Sequence, residues 1–215
     1  MKRLAILFVL ALAGCSVTVG PSGPVSHVSN YTTIRNMTYM LRMPTGTCSA
    51  VAVSENQVLT AKHCVENVED PSVLLLQEGR DLIEARGISL LIDQNADLAL
   101  ITFDTKFKTW AKLAKSAPAV DSKVFVVGYP LGIAEFVTLG IVQAYTEEGM
   151  YASADAIFGN SGGPLFVIED GEYVLAGITS FLATAWGAPI TYIIGFIPFS
   201  SIDSFLDKSF GVTPE

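Results

Sequence analysis

Apolar residues in this chain fall in short runs, and Gly, Pro, Asn, Asp and Ser separate them. Runs of this kind, bounded by turn residues, read as strands. A first set covers Ile34–Leu41, Thr47–Val53, Gln57–Thr60, Val73–Gln77, Leu82–Leu90 and Leu98–Phe103. A connector, Asp104–Asp121, follows and carries an expected short helical piece around Trp110–Lys115. A second set covers Lys123–Val127, Phe136–Tyr145, Met150–Ala154, Pro164–Glu169, Tyr173–Phe181 and Ile190–Ile197. Ser201–Lys208 reads as a closing helix, with Ser200 or Ser201 as its cap. The pattern predicts an all-β fold of two six-stranded Greek-key β-barrels, about residues 31–104 and 121–200. A short C-terminal helix over about 201–210 completes it. A site shared by both barrels would lie in the cleft between them, a shape suited to an extended peptide. The run Ala183–Pro189 reads as a loop near that cleft.

The N-terminus has a different texture. Met1-Lys2-Arg3 is positive, Leu4–Ala13 is apolar but too short to span a bilayer, and Cys15 closes the segment Leu12-Ala13-Gly14-Cys15. This segment resembles a bacterial lipobox, in which the cysteine is lipidated and becomes the first mature residue. The expected organisation is a signal peptide over 1–14, a flexible tether rich in Ser, Gly, Pro and Val over 15–30, and a folded domain over 31–215. Acyl chains on Cys15, at ~0.8 kcal/mol per buried CH₂, would hold the protein on a lipid bilayer. The expected location is the bacterial cell envelope after export; in a Gram-negative cell, Ser16 after the cysteine points to the outer membrane. Half of the chain is apolar and only 16% is charged, which allows a large core. The net charge of −8, with no basic run, argues against nucleic acid as a partner.

Gly159-Asn160-Ser161-Gly162-Gly163-Pro164 is the segment richest in chemistry. Glycine permits positive φ and close backbone approach, so the segment is a tight turn with little side-chain cover. Such a turn can aim two backbone N–H groups inward beside an exposed hydroxyl, as a serine nucleophile requires. A serine needs a base, and the chain has two histidines. His27 lies in the leader. His63 directly follows the apolar strand Gln57–Thr60 and precedes Cys64. A third group must orient the imidazole. Asp97 stands at the mouth of the apolar strand Leu98–Phe103, where an unpaired carboxylate would be costly. Asp93 and Asp104 are the rival acids, both in turn-like surroundings.

In the order His63, Asp97, Ser161, these motifs resemble the chymotrypsin-like (trypsin-fold) serine peptidases over about Tyr31–Phe210. Val124–Gly132, Val137–Val142 and Gly195–Pro198 resemble the bacterial high-temperature-requirement branch, without a counterpart to its C-terminal peptide-binding domain. The resemblance implies a serine endopeptidase acting on protein or peptide, with no metal or cofactor. Ser161 would attack the carbonyl, His63 would move the proton, Asp97 would hold the imidazole, and the N–H groups of Gly159 and Ser161 would bind the oxyanion. Asn160 stands where digestive members carry an aspartate that pairs with a freed amine, which implies activity without zymogen cleavage. Asp155, Ser180, Phe181, Leu182 and Gly195 fall where the family builds its substrate pocket. Asp155 at the floor would favour Lys or Arg at P1. Leu182 in place of glycine would narrow the pocket while Gly195 keeps the opposite wall open, favouring a small or medium apolar P1. A catalytically silent trypsin-fold peptide-binding or scaffold lipoprotein is the alternative, and an esterase using the same triad is another.

Cys48 and Cys64 remain after Cys15 is set aside. An even pair in an exported protein is expected to bridge. The resemblance implies the same bridge, stapling the His63 turn to the strand at Cys48. Two cysteines without further ligands make a metal site a weak reading.

Overall fold

Strands such as Gly46–Ala52 and Lys123–Gly128 are buried along successive residues, on both faces, and two closed barrels packed on each other cover both. The computed structural model describes residues 31–78, 81–185 and 188–210; the expected signal peptide, tether and Cys15 lie outside them. Barrel one contains β1 (Thr38–Met43), β2 (Gly46–Ala52), β3 (Gln57–Thr60), β4 (Leu75–Glu78), β5 (Asp81–Ile92) and β6 (Ala99–Phe103). Barrel two contains β7 (Lys123–Gly128), β8 (Phe136–Tyr145), β9 (Met150–Ala152), β10 (Pro164–Glu169), β11 (Glu172–Ala185) and β12 (Ala188–Pro198). Each closes, in the orders β1-β2-β3-β6-β5-β4 and β10-β11-β12-β9-β8-β7. The two orders describe the same arrangement, and every strand pairing in them is antiparallel.

Three apolar clusters hold the chain together. Leu41, Val58, Leu76, Ile101 and Phe103 fill barrel one. Val124, Val142, Met150, Leu165 and Phe196 fill barrel two. The third cluster lies between the barrels, where Val51, Leu59 and Leu98 meet Phe125, Val127 and Ile178. The C-terminal helix α3 (Phe199–Phe210) adds Ile202, Phe205 and Leu206 to this third cluster. The largest buried side chains therefore stabilise the seam as well as the barrels.

Several local expectations change. The expected first strand is split: Thr32–Arg35 is a single helical turn, α1, and Thr38 Oγ1 donates to Ile34 O at 2.8 Å. The segment Trp110–Lys115 is extended and not helical. Ala111 N–H donates to Ala52 O, Ala114 N–H to Leu175 O, and Lys112 O accepts from Leu175 N–H. Barrel strands thus take the backbone groups that a helix would need. The expected loop Ala183–Pro189 is largely the end of a hairpin, with Ala185 paired to Ala188. Helix α3 begins at Phe199, so Ser200 and Ser201 lie within its first turn and neither caps it.

Cys48 on β2 and Cys64 on the helical turn α2 (Lys62–Val65) form a disulfide across 16 residues of sequence. It ties the segment bearing His63 to the wall of barrel one. Replacing both cysteines with alanine is expected to lower the unfolding free energy by about 3 kcal/mol, the loop-closure entropy of a bridge this short. Urea titration of the double variant against the oxidised protein measures it; equal midpoints would show that the bridge does not stabilise the fold.

Candidate active site

His63 and Asp97 meet at the rim of barrel one because two strands deliver them there. β3 runs up to Thr60, Ala61 is extended, and α2 follows at once with His63 in it. Its neighbour β6 starts just after Asp97. One Asp97 oxygen accepts the His63 backbone N–H at 2.8 Å, and the other lies 2.8 Å from His63 Nδ1. Ser180 Oγ, from β11 of barrel two, donates to that second oxygen at 2.5 Å. The rival acids are engaged elsewhere: Asp93 accepts Asn95 N–H and Asp104 accepts Arg86 N–H.

These contacts decide the charge states. Burial pushes the Asp97 carboxyl up, but hydrogen bonds from His63, Ser180 and the His63 backbone outweigh it and hold the group below the usual carboxylate range. The hydrogen bond to Asp97 lifts His63 above the ordinary histidine value of 6.5, against an opposing effect of burial. Asp97 is therefore ionised, and the imidazole presents its Nδ1–H to it and leaves Nε2 free for substrate-side chemistry.

The turn Gly159–Gly163 is held by a residue that the sequence reading passed over. Ser49 on β2 is fully buried. Its backbone N–H donates to Ser161 O at 2.8 Å, and its hydroxyl donates to Gly159 O at 2.8 Å. The same hydroxyl accepts Tyr129 N–H at 2.9 Å, and Ser49 O accepts Thr60 Oγ1 at 2.8 Å. Its sequence signal is slight: a hydroxyl residue inside the apolar run Cys48–Ala52, next to a bridging cysteine.

Within the turn, Asn160 N–H donates to Ile157 O, Gly162 N–H to Thr179 O, and Gly163 N–H to Asn160 O. The N–H groups of Gly159 and Ser161 donate to no group among the described residues. Gly159 at φ +96° and Gly162 at φ +79° need left-handed backbone, and a Cβ on Gly162 would collide with Thr60 Oγ1 and Ser49 O. Two donors thus stand unpaired on either side of Asn160, beside the Ser161 hydroxyl. Cys64 Sγ lies 3.9 Å from Ser161 O, a packing contact since a bridged sulfur has no proton to donate. The His63 and Ser161 segments are therefore adjacent, although Ser161 Oγ makes no hydrogen bond to His63. Cys48, His63 and Cys64 also cluster, but the disulfide removes both thiolates that a metal would need.

The five expected pocket residues separate. Asp155 lines a cavity of about 260 Å³ with Pro130, Leu131, Ile133, Phe136, Ile157 and Asn160, and none of Ser180, Phe181, Leu182 and Gly195 lines it. Ser180 serves Asp97. The Phe181 ring covers its cross-strand neighbour Gly195 and meets Tyr151 edge-on at 5.5 Å, so Gly195 leaves no open wall. Leu182 packs with Phe199 against the core of barrel two.

The family described as trypsin-like peptidase domain matches residues 48–178. Rv3671c from M. tuberculosis H37Rv, in an inactive serine-to-alanine form, superposes with a TM-score of 0.72 at 16% identity, over 91% of this chain and 97% of that one. The Rv3671c protease, also in an inactive form, superposes with a TM-score of 0.68 at 18% identity, over 87% of this chain and 97% of that one. No curated protein matches this sequence.

Ser49→Ala removes the buried hydroxyl that donates to Gly159 O and accepts Tyr129 N–H in the seam. Leaving the Gly159 carbonyl without its buried donor costs about 1–3 kcal/mol, so a clear fall in thermal midpoint is expected. Ser49→Thr, which keeps the hydroxyl, should lose less. A Ser49→Ala protein as stable as the parent would remove this residue from the account.

Proposed function

The chain belongs to the trypsin-like peptidase domain family and is a serine-type peptidase; on that footing we propose that it is an endopeptidase using His63, Asp97 and Ser161 as its triad. Ser161 Oγ attacks the peptide carbonyl as His63 Nε2 takes its proton. Asp97 holds the Nδ1–H tautomer and stabilises the imidazolium. The N–H groups of Gly159 and Ser161 receive the oxyanion. Collapse of the tetrahedral intermediate breaks the C–N bond, and His63 gives its proton to the departing amine. Water then repeats the sequence on the acyl-enzyme and frees Ser161.

The pair of unpaired donors carries this reading. In a turn where the neighbouring N–H groups are bonded, those of Gly159 and Ser161 donate to no group among the described residues. An extended substrate has a place to lie. β11 pairs with β10 only as far as Ile178, so the same flank of Ser180–Leu182 is without a strand among the described residues. A peptide added there brings a carbonyl toward Ser161. Asn160 supports activity without a freed amine: it is 3% exposed with its Oδ1 unpartnered, a place where an aspartate would need a cation and an amide does not.

A fluorophosphonate probe should label Ser161, and Ser161→Ala should abolish both labelling and peptide hydrolysis while the fold survives. Asp97→Asn should lower kcat by about 10³–10⁴, because the imidazole takes the wrong tautomer. The base must be neutral, so kcat/KM should rise with pH through an apparent pKa above 6.5, and the residual activity of Asp97→Asn should show that limb moved down. Labelling that persists in Ser161→Ala, or a larger loss from Asp93→Asn or Asp104→Asn, contradicts these assignments.

The leader supports a second element of the proposal, a protein anchored to the cell envelope through lipid on Cys15. Cys15 is the one residue of the leader able to carry a thioether-linked lipid. Metabolic labelling with an alkyne fatty acid should mark the parent and not Cys15→Ser, which should also leave the membrane fraction. An unlabelled, wholly soluble parent protein would refute anchoring.

A further inference from the structure

Four large apolar side chains stand in solvent around the far flank of the Ser161 turn. Ile133 is 73% exposed, Phe158 71%, Leu131 59% and Phe136 49%. Leu131, Ile133 and Phe136 line the cavity of about 260 Å³, and Phe158 adjoins them through its backbone, its carbonyl accepting Leu131 N–H at 2.7 Å. A contiguous apolar patch of this kind marks a binding surface far more often than a scattered exposed residue does. Leu131 also sits at φ +54°, ψ +16°. That left-handed region disfavours leucine and suits Gly or Asn. A leucine held there with its side chain in water is the opposite of what stability would select, and such outliers point to function.

The position of the patch indicates what it would touch. The Ser161 turn is tied on one flank to β11, through Gly162 N–H to Thr179 O and Thr179 N–H to Gly163 O. It is tied on the other flank to the Leu131 segment, through Phe158 O. With the residues before the scissile bond added along Ser180–Leu182 as proposed above, those after it would leave the turn on its other flank, toward Phe158, Leu131 and Ile133. We propose that Leu131, Ile133 and Phe158 dock a large apolar side chain of the substrate just after the scissile bond, so that peptides whose leaving amine carries such a residue are preferred. This rests on the peptidase reading above and adds the class of substrate to it. A cavity of ~150 Å³ can hold benzene, so the space here admits a leucyl or phenyl group. Asp155 is the one ionisable residue lining it, and it sets an acidic substrate residue at a disadvantage.

Internally quenched peptides, identical up to the scissile bond, would carry Leu, Ala or Glu at each of the next three positions. The parent should favour Leu over Ala by about tenfold in kcat/KM at one of them, the discrimination an apolar pocket typically gives. Leu131→Asn should bring that ratio to about 2 or below while its thermal midpoint holds or rises, because asparagine accepts the left-handed backbone. Ile133→Ser supplies a second variant free of the backbone effect. No Leu preference in the parent, or one that survives both substitutions, overturns the proposal and leaves the peptidase intact. If the parent cleaves no peptide and takes no fluorophosphonate, the peptidase reading has failed instead. Fluorescence anisotropy with Ser161→Ala then decides the docking surface: tighter binding of the Leu peptide, lost in Leu131→Asn, sustains it, and equal binding of Leu and Ala peptides overturns it.

Discussion

The hydrogen bonds of Ser49 fix the Ser161 turn of one barrel to the wall of the other. The apolar seam between the barrels is strong but non-directional, since Val51, Leu59, Phe125 and Ile178 would tolerate small slides past one another. Hydrogen bonds do not tolerate such slides. Ser49 reaches Ser161 O, Gly159 O and Tyr129 N–H from one buried position. Holding Gly159 O and Ser161 O fixes the peptide planes that carry the bonded N–H groups of Asn160 and Gly162, while the N–H groups of Gly159 and Ser161 donate to no group among the described residues. Cys48, the preceding residue, is bridged to Cys64 beside His63. One dipeptide of β2 therefore registers the imidazole segment and the serine turn together.

Asp97 has a charge state that belongs to the assembled pair of barrels. Half-buried, it would rise toward protonation without donors. Two of its donors come from His63 in barrel one and the third from Ser180 in barrel two. The seam thus supplies part of what keeps the carboxylate ionised, and through it the lifted basicity of His63. Folding and the state of this pair are linked: loosening the barrels would remove the Ser180 donor and weaken the hold on the Asp97 carboxylate beside His63.

The same turn divides the cleft. On the β11 flank Ser180–Leu182 have no β10 partner among the described residues, a backbone edge on which the proposed peptide would add without regard to its side chains. On the Leu131 flank it offers exposed apolar side chains, of which Leu131 itself stands on a disfavoured left-handed backbone. General affinity and side-chain preference would then come from opposite sides of Ser161.

Periodicity and turn chemistry are local, and what depends on them was legible in the sequence: the twelve strands, the two barrels, and the tight glycine turn about Ser161. The elements read wrongly are those where distant backbone decides. Trp110–Lys115 forms no helix because Ala52 and Leu175 bond its peptide groups, and residues 183–185 and 188–189 are strand because they pair across β11 and β12. The site divides in the same way. Residue types suggested a serine, a base and an acid, but three aspartates were in reach of the argument. Tertiary contacts give Asp97 to His63 while backbone N–H groups take up Asp93 and Asp104. Ser49 had no local signature of importance, because its partner Gly159 O lies 110 residues away. A hydroxyl's value in a folded protein depends on which orphan groups surround it. That is set by how the two barrels close on each other.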